Sequence, residues 1–235
     1  MKLCVIPARG GSKRIPRKNI KPFFGKPMLA YPIEAALQSG LFDAVVVSTE
    51  DAEIAEVARS YGAQVPFMRP NELAQDDTAT APVILHAIDW YEQQGIQVDM
   101  CSCIYPCTPF TSSHLLKQAY SEWQASGADY CFSVCEYPSA PQRALKQLPS
   151  GRLTSMYPEY RGTRTQDLDK TFFDAGQFYF MSPDTYKKGI PMHSEASMPF
   201  VLPRYLAHDI DTLEDWQLAE LFYGLLSEKQ MIDEL

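Results

Sequence analysis

The sequence lacks the features that mark membrane and secreted proteins. Its 235 residues contain no apolar run approaching the ~18 residues that a membrane-spanning helix needs. Only residues 3–6 are apolar near the amino-terminus before charged residues begin, which does not fit a secretory signal peptide. We therefore expect a cytoplasmic protein without a membrane partner.

An excess of basic charge is also missing. The formal net charge is −8, whereas a general nucleic-acid-binding protein normally carries a dominant basic face. The composition, 46% hydrophobic and 21% charged, is typical of a globular protein with a substantial core. We expect a single domain over residues 1–235 and no nucleic-acid partner.

The six cysteines lack the paired spacing of a zinc site. Cys101, Cys103 and Cys107 form one group and Cys131 and Cys135 another, but both groups lie in strand-like segments without Cys-x-x-Cys pairs. Cytosolic thiols are usually reduced, and free cysteine is among the most frequently buried residue types. The pattern favours small core side chains over a metal site or disulfides.

Basic residues are concentrated in the first 26 positions. Eight of the 21 Lys and Arg residues lie there and none of the 29 Asp and Glu, which leaves 13 basic against 29 acidic residues elsewhere. A strand-like run ends at Pro7 and enters a glycine-containing loop, whose free N–H groups and cations suit phosphate oxygens. A bound polyanion is therefore a better interpretation than a solvated loop. The loop matches neither the dinucleotide G-x-G-x-x-G pattern nor the P-loop.

Apolar periodicity predicts alternating strands and helices before residue 136. The predicted strands cover residues 3–6, 44–49, 64–67, 100–105 and 130–135. The predicted helices cover residues 28–39, 51–61, 80–94 and 112–123. Ser48 or Thr49 is expected to cap the second helix, and Ser112 or Ser113 the fourth. Continuous apolar strands separated by helices predict an α/β fold with a doubly wound, mostly parallel sheet.

The pattern changes between residues 136 and 204, where prolines recur and no long helix is predicted. We expect a hairpin over residues 144–148 and 152–154, then strands over residues 172–180 and 200–202. This segment is predicted to be an excursion of the single domain that forms a lid or a contact between two copies. A last helix is predicted over residues 212–226, with Thr212 as N-cap and Asp215 completing a capping-box variant.

Two carboxylates, Asp209 and Asp211, flank Ile210 just before the last helix. In an extended segment both carboxylates point the same way, and such a pair suits Mg²⁺, which binds through few carboxylates and keeps part of its water shell. From spacing alone, acids favoured by the helix macrodipole are an equally good explanation. Asp76 and Asp77 form a competing pair, but adjacent side chains diverge in most backbone conformations.

Three motifs resemble those of the CMP-sialic acid synthetase (acylneuraminate cytidylyltransferase) family. They are I-P-A-R-G-G-S-K-R-I-P-R-K-N at residues 6–19, R-P-x-x-L-A-x-x-D-T-A at residues 69–79, and D-I-D-T at residues 209–212. The resemblance implies a Rossmann-like nucleotide-binding half of the nucleotide-diphospho-sugar transferase type, and a homodimer. It also implies transfer of CMP from CTP to a nine-carbon 2-keto sugar acid, with Mg²⁺ as cofactor.

The resemblance assigns roles to residues of these motifs. The expected catalytic residues are Arg9 and Lys18, which would hold phosphates, and Asp209 and Asp211, which would hold Mg²⁺. The residues expected to contact CTP are Ala8, Arg9, Gly10, Gly11, Ser12, Lys13, Lys18, Asn19, Arg69, Thr78, Ala79 and Thr80, with Arg14 nearby.

The sugar side departs from the pattern of sialate synthetases. Tyr105 stands where they usually have the Gln of a Gln-Pro-Thr-Ser-Pro run, and Asp-Ala-Gly-Gln at residues 174–177 stands where they tend to have Asn-Gly. Residues 137–145 and 173–179 instead resemble the branch that activates pseudaminic acid for flagellin or surface glycans. The residues predicted to contact the sugar are Tyr105, Gln142, Arg143, Arg164, Gln166, Asp174 and Gln177.

Several alternatives stay open. One arginine is expected to pair with the sugar carboxylate, but the sequence does not say which. The nearest alternative function is that of a CMP-N-acetylneuraminate or CMP-legionaminate synthetase. In other classes, the alternatives are a GT-A-like glycosyltransferase with an Asp-x-Asp metal site and a nucleotide-binding protein without turnover.

Overall fold

A computed structural model describes residues 1–229. The strands of this part of the chain are β1 (Lys2–Pro7), β2 (Pro22–Phe23), β3 (Lys26–Pro27), β4 (Ala44–Ser48), β5 (Met100–Ile104), β6 (Tyr130–Glu136), β7 (Leu145–Gln147), β8 (Leu153–Ser155), β9 (Phe172–Met181) and β10 (Ser197–Val201). Its α-helices are α1 (Ala30–Ser39), α2 (Ala52–Ser60), α3 (Thr80–Gln93), α4 (Ser113–Ser126), α5 (Pro183–Lys187) and α6 (Leu213–Glu228).

Six strands form the central sheet, in the order β10–β6–β9–β5–β1–β4. Strand β1 pairs in parallel with β4 and β5, and β10 pairs in parallel with β6. Strand β9 runs antiparallel to both of its neighbours. The predicted α/β fold with a mostly parallel sheet is confirmed.

The continuous apolar strands are buried because helices cover both faces of the sheet. On one face, Ile6 and Phe180 pack in a cluster that includes residues of α1, α2, α4 and α6. On the other face, Val5 and Val46 pack with Ile84 and other residues of α3. Because helices cover both faces of the sheet, polar groups can gather in the loops at the ends of the strands.

Helix caps follow the sequence at two of three predicted positions. Ser112 caps α4 by accepting a hydrogen bond from the backbone of Leu115, and Thr212 forms a capping box with Asp215 at α6. The cap of α2 was assigned to the wrong residue, because Asp51 accepts from the two backbone N–H groups there. The Asp51 carboxylate reaches the N–H groups of the first turn of α2. Ser48 and Thr49 lie too many positions before this turn to reach them.

The strand predicted over residues 64–67 is wrong. Only Gln64 makes a parallel bridge, to Val46, and no ladder follows it within the described chain. Pro66 has no N–H group to donate to a ladder, and farther along the backbone N–H of Arg69 donates to Thr49. The edge strand of the described sheet is therefore β4.

The proline-rich segment divides into two parts. Strands β9 and β10 belong to the central sheet, whereas β7 and β8 pair only with each other and form the predicted hairpin. The single-domain division and the role of this segment as a lid or a contact between copies stay predictions.

The cysteines are core side chains, as predicted. All six are free thiols, and five of them are buried. Burial raises the pKa of Cys107 and of Cys131 to about 12, which keeps these thiols protonated near neutral pH. Among the helices of residues 1–229, none has the length and apolar character needed to cross a membrane.

Candidate active site

A cavity of about 610 Å³ opens where the carboxyl-terminal ends of β1, β4 and β5 meet. Open α/β sheets bind ligands outside this edge. We call it the basic cavity, because its lining includes Arg9, Lys13, Arg14, Lys18 and Arg69. Other predicted site residues that line it are Ser12, Asn19, Thr78, Thr80, Tyr105 and Asp211. Ala8, Gly10, Gly11 and Ala79 belong to the same segments but do not line it.

Acidic residues at the start of α2 bind the basic loop, which we define as residues 8–21. The backbone N–H of Gly10 donates to Glu50 Oε1 at 2.7 Å, and the Arg17 guanidinium pairs with Asp51 and, at 2.5 Å, with Glu53. A Cβ on Gly10 would lie 2.5 Å from Asp51 Oδ2, so only glycine allows this approach. The Arg17 hydrogen bond holds the pKa of Asp51 below its usual range.

Asn19 fixes the same loop from within. It is buried, and its Nδ2 donates to the backbone oxygen of Arg9 at 2.8 Å. The Cys107 thiol donates to Asn19 Oδ1 at 3.2 Å, which joins the basic loop to the segment after β5. Both polar atoms of this amide therefore have protein partners, and its predicted contact with cytidine stays a prediction.

The cations of the basic cavity face two carboxylates. Asp76 pairs with Arg9 at 2.5 Å and also with Lys13. Asp211 pairs with Arg14 at 2.7 Å and lies 3.4 Å from Lys18 Nζ. These pairs are solvent-accessible, and a phosphate chain entering the cavity would offer the cations stronger oxygen partners.

Lys18 joins the first motif to the last. Its Nζ donates to the backbone oxygen of Ile210 at 2.7 Å as well as to Asp211. Ile210 is buried in the core, and Asp211 lines the basic cavity. Asp209 is exposed and is not among the residues that line this cavity, so the convergence of the two carboxylates stays a prediction.

Asp209 and Asp211 form a donor set that fits a hard divalent cation. Asp209 makes no hydrogen bond or ion pair with another residue of 1–229, and partial desolvation together with the neighbouring Asp211 raises its pKa. A cation beside the two carboxylates would relieve this repulsion. No cluster of three or more His, Cys, Asp or Glu suited to a metal occurs in the described residues, but Mg²⁺ needs only one or two carboxylates when phosphates supply further ligands.

The second motif, residues 69–79, forms another wall of the basic cavity. Arg69 is 5% exposed and donates to the backbone oxygen of Ser48 and, at 3.1 Å, to Ser48 Oγ. Burial lowers the pKa of Arg69, and the nearby Glu50 opposes this effect. Helix α3 begins at Thr80, and its first N–H groups have no side-chain cap at Ala79. Uncapped N–H groups at a helix start favour an acceptor or an anion.

A second cavity of about 370 Å³ adjoins the first and shares Thr80 and Tyr105 with it. We call it the apolar cavity. The rest of its lining consists of Ala81, Ile84, Cys103, Asp174, Tyr179, Met181, Tyr186, Gly189, Ile190, Pro191, Met192 and His193.

Polar side chains lie where the two cavities adjoin. Thr80 Oγ1 lies 3.0 Å from the Tyr105 hydroxyl, and the ring centroids of Tyr105 and Tyr179 are 5.3 Å apart. The Tyr179 hydroxyl donates to Asp174 Oδ1 at 2.9 Å, and His193 Nε2 lies 3.7 Å from Asp174 Oδ2. Burial raises the pKa of Tyr105 and of Tyr179, so both stay neutral. Either hydroxyl can donate in the contact between Thr80 and Tyr105, whereas Tyr179 is the donor to Asp174.

The other predicted sugar contacts lie outside both cavities. Gln142 and Arg143 line a separate recess beside the β7–β8 hairpin, and Arg143 donates to the backbone oxygen of Thr163. Arg164 pairs with Asp167 at 2.7 Å, and Gln166 is exposed. Gln177 is 1% exposed, accepts from Thr111 at 3.1 Å and donates to the backbone oxygen of Leu206, so its amide serves the core.

Sequence reasoning missed the residues that support the site from behind. Glu50, Asp51 and Glu53 are not among the predicted site residues, although they follow a strand at the edge where ligands bind. Tyr179 and His193 were also missed. Strict alternation along β9 places Tyr179 on the same face as Gln177 and on the opposite face from Asp174. The pairing of β6 with β9 contains a register shift, so the sequence pattern does not reveal the contact between Tyr179 and Asp174.

Comparisons with known proteins agree with the motifs. The family model described as Cytidylyltransferase matches residues 3–148. A pseudaminic acid cytidylyltransferase from Campylobacter jejuni is 41% identical over 96% of this chain and 97% of that protein. A CMP-N,N'-diacetyllegionaminic acid synthase from Legionella pneumophila is 31% identical over 96% of this chain and 97% of that protein.

A solved structure has the same fold. CMP:2-keto-3-deoxy-manno-octonic acid synthetase, complexed with CTP, aligns with a TM-score of 0.67 over 97% of this chain and 99% of that chain. The identity is 15%, so this likeness concerns the fold alone.

Proposed function

The chain belongs to the cytidylyltransferase family, and on that premise we propose that it makes CMP-pseudaminic acid and pyrophosphate from CTP and pseudaminic acid. The resemblance inferred from the motifs is confirmed by the family match, and the chain is a CTP-dependent nucleotidyltransferase. The proposal concerns the sugar, the metal, and the residues that act on them.

The contact between Lys18 and the segment 210–211 carries the proposal. It brings a cationic loop, suited to a triphosphate, within one side-chain length of a pair of carboxylates suited to Mg²⁺. A glycosyltransferase with an Asp-x-Asp metal site has no need of this basic loop. The convergence of both features in one cavity favours a reaction on the phosphates of CTP.

The reaction is a displacement at the α-phosphorus. The anomeric hydroxyl oxygen of the sugar bonds to that phosphorus and loses its proton, while the bond to the bridging oxygen breaks and pyrophosphate leaves. Such transfers depend mainly on positioning and on neutralising the phosphate charge. Arg9 and Lys13 are placed to neutralise the triphosphate from one side, and Arg14 and Lys18 from the other.

Asp209 and Asp211 would hold the metal. When bound, Mg²⁺ would supply neutralisation of the negative charge on the phosphates. Lys18 keeps the Asp211 carboxylate oriented, because it binds both that side chain and the adjoining backbone. Asn19, Arg69 and residues 78–80 are proposed to frame the cytidine.

The sugar acid is proposed to occupy the apolar cavity. This cavity adjoins the basic cavity through Thr80 and Tyr105, so a bound sugar would lie beside the phosphates. Pseudaminic acid is favoured over legionaminic acid because the full-length match to the Campylobacter jejuni enzyme is 41% identical, against 31% for the legionaminic acid synthase.

We also propose a cytoplasmic homodimer. CTP and reduced thiols belong to the cytoplasm, which fits six free cysteines. The hairpin of the excursion exposes Leu145 and Leu153, which fits a contact with a second copy.

An assay of pyrophosphate release tests the function. The protein is incubated with CTP, Mg²⁺ and, separately, pseudaminic, legionaminic or N-acetylneuraminic acid. The proposal expects release that is fastest with pseudaminic acid and depends on both CTP and Mg²⁺. Release only with another acid would support the alternative synthetases. CTP binding without release from any nine-carbon acid would contradict an activating enzyme.

A further inference from the structure

The outer side of helix α6 carries large apolar side chains that the rest of residues 1–229 leaves between 38% and 71% exposed. These side chains belong to Leu218, Leu221, Phe222 and Leu225. The opposite side of the helix packs in the core through Trp216. Single exposed apolar residues are ordinary on a protein surface, whereas a contiguous exposed group marks an interaction site.

The four positions form one stripe, because residues three and four apart lie on the same side of a helix. The stripe continues into a charged residue at each end, Glu214 and Lys229, which are both exposed. Glu214 lies seven residues before Leu221, and Lys229 lies seven residues after Phe222. The stripe is therefore symmetric in its apolar positions about a point between residues 221 and 222, and it is acidic at one end and basic at the other.

An exposed aromatic ring, that of Phe24, borders the stripe. It lies in the turn between β2 and β3 and its centroid is 5.1 Å from that of Tyr223 in α6. Phe24 has a φ of 43°, a left-handed conformation that bulky residues rarely adopt. A Cβ on Gly224 would lie 3.1 Å from the Phe24 ring, so glycine lets this ring pack closely on the helix. The ring remains 51% exposed and widens the apolar surface beside the stripe.

We propose that this stripe is a contact between two copies of the chain, in which their α6 helices pack antiparallel about a two-fold axis. The axis passes between residues 221 and 222. Leu218 then lies opposite Leu225 of the partner subunit, and Glu214 opposite Lys229 of the partner subunit. The symmetry repeats each pairing, so both ends of the contact gain a pair of opposite charges. A parallel arrangement would instead place like charges together at each end.

The size of the contact predicts that it is weak. The 16 residues of α6 extend over about 24 Å, and a single helix pair lies at or below the roughly 1,200 Å² buried by stable specific interfaces. It is also separate from the proposed hairpin contact. We therefore expect the stripe to join dimers into tetramers only as the protein concentration rises.

Sedimentation velocity over a series of protein concentrations tests the stripe. The mass of the wild type should rise with concentration. Leu221→Glu should raise the dissociation constant of this step at least about 100-fold, because the symmetry places two unpaired charges in an apolar contact. Leu213→Glu is the matched control, because Leu213 is 56% exposed and lies about 130° around α6 from the centre of the stripe. The control should leave the step unchanged, and Leu153→Glu, in the hairpin, should not abolish it.

Reversal of the end charges tests the antiparallel arrangement. Glu214→Lys alone brings like charges together at both ends, and should raise the dissociation constant about 3- to 30-fold at low salt. The double variant Glu214→Lys/Lys229→Glu restores opposite charges, and should return the constant to within about twofold of the wild type. Both side chains are exposed, so these variants decide the question even where Leu221→Glu does not fold.

Three results would overturn the inference. They are a wild-type mass that does not change with concentration, an equal loss of association in Leu221→Glu and Leu213→Glu, and undiminished association in a folded Leu221→Glu. A double charge variant that associates no better than Glu214→Lys would overturn the antiparallel arrangement. Pyrophosphate release by the wild type tests the proposed function separately, because it does not depend on this contact.

Discussion

Asp211 is the residue at which the two halves of the site meet. It contacts Lys18 and Arg14 of the basic loop, and it lies beside Asp209, whose pKa it helps to raise. A carboxylate that is both a cation partner and a neighbour of another carboxylate is suited to share a divalent ion.

Asp209→Asn and Asp211→Asn should separate binding from turnover. Each amide keeps the shape of the side chain but removes a charge that would hold Mg²⁺, so kcat should fall at least about 100-fold. CTP binding should stay measurable by calorimetry, because Arg9 and Lys13 are untouched. Near-normal rates in both variants would place the metal elsewhere.

Asp76 pairs with Arg9 and Lys13, two cations that we propose bind the triphosphate. Its partners, Lys13 first and then Arg9, hold the pKa of Asp76 below its usual range, so it competes as an anion at neutral pH. Asp76→Asn should lower the KM for CTP about two- to fivefold, because it frees Arg9 and Lys13 from a competing anion whose exposed ion pairs are weak. Steady-state kinetics against Asp99→Asn, an exposed carboxylate on the amino-terminal side of β5, checks this. A KM that rises in the Asp76 variant would show that this carboxylate assists CTP binding.

At the scale of elements, the order of strands and helices could be predicted because each element carries its own pattern. Continuous apolar strands, Gly40 after α1 and Thr212 before α6 are local signals. The bridge at Gln64 and the support of the basic loop by Glu50 could not be predicted. Both depend on where distant segments meet, which local periodicity does not encode.

The candidate site, like the fold, could be predicted where local sequence motifs define it. Residues within the three motifs line the basic cavity, since the motifs follow strands and gather at one edge. Gln142, Arg143, Arg164 and Gln166 were placed with the sugar by resemblance, but they lie on the excursion. Their distance from the cavities of their own chain depends on tertiary packing that the sequence pattern does not report.

Asp51 joins helix α2 to the basic loop, and its substitution tests that connection. Asp51→Ala removes the N-cap and the partner of Arg17, and should cost about 0.5–2 kcal/mol of stability. Asp51→Asn keeps a good cap and removes only the charge, so it should cost less. Urea denaturation at pH 7 measures both differences. Equal losses in the two variants would contradict a separate contribution from the cap, and no loss in Asp51→Asn would contradict a contribution from the Arg17 ion pair.

The pH dependence of the same pair has a defined sign. Arg17 lowers the pKa of Asp51 in the folded state, so the charge contributes stability above the unfolded pKa of about 3.9. The contribution is lost as the pH falls through the folded value. The gap in stability between the wild type and Asp51→Asn should therefore shrink below about pH 4.

At the scale of the whole molecule, the hairpin is the surface that we propose contacts a second copy. Gln147 pairs with Leu153 across the hairpin, so Leu145 and Leu153 lie on the same face, and they are 62% and 64% exposed. Leu153→Glu should shift the protein from dimer toward monomer in analytical ultracentrifugation. Thr154→Glu adds the same charge on the opposite face and should leave the dimer intact. A wild type that sediments as a monomer would refute this contact.

The central claim is transfer of CMP from CTP to pseudaminic acid, and ³¹P NMR of the complete reaction tests it most directly. The account predicts that the three CTP signals decay while one phosphodiester signal and pyrophosphate grow in equal amounts. The phosphodiester should appear only when CTP, Mg²⁺ and the sugar acid are all present. Unchanged CTP signals, or release of inorganic phosphate without a phosphodiester, would contradict the account.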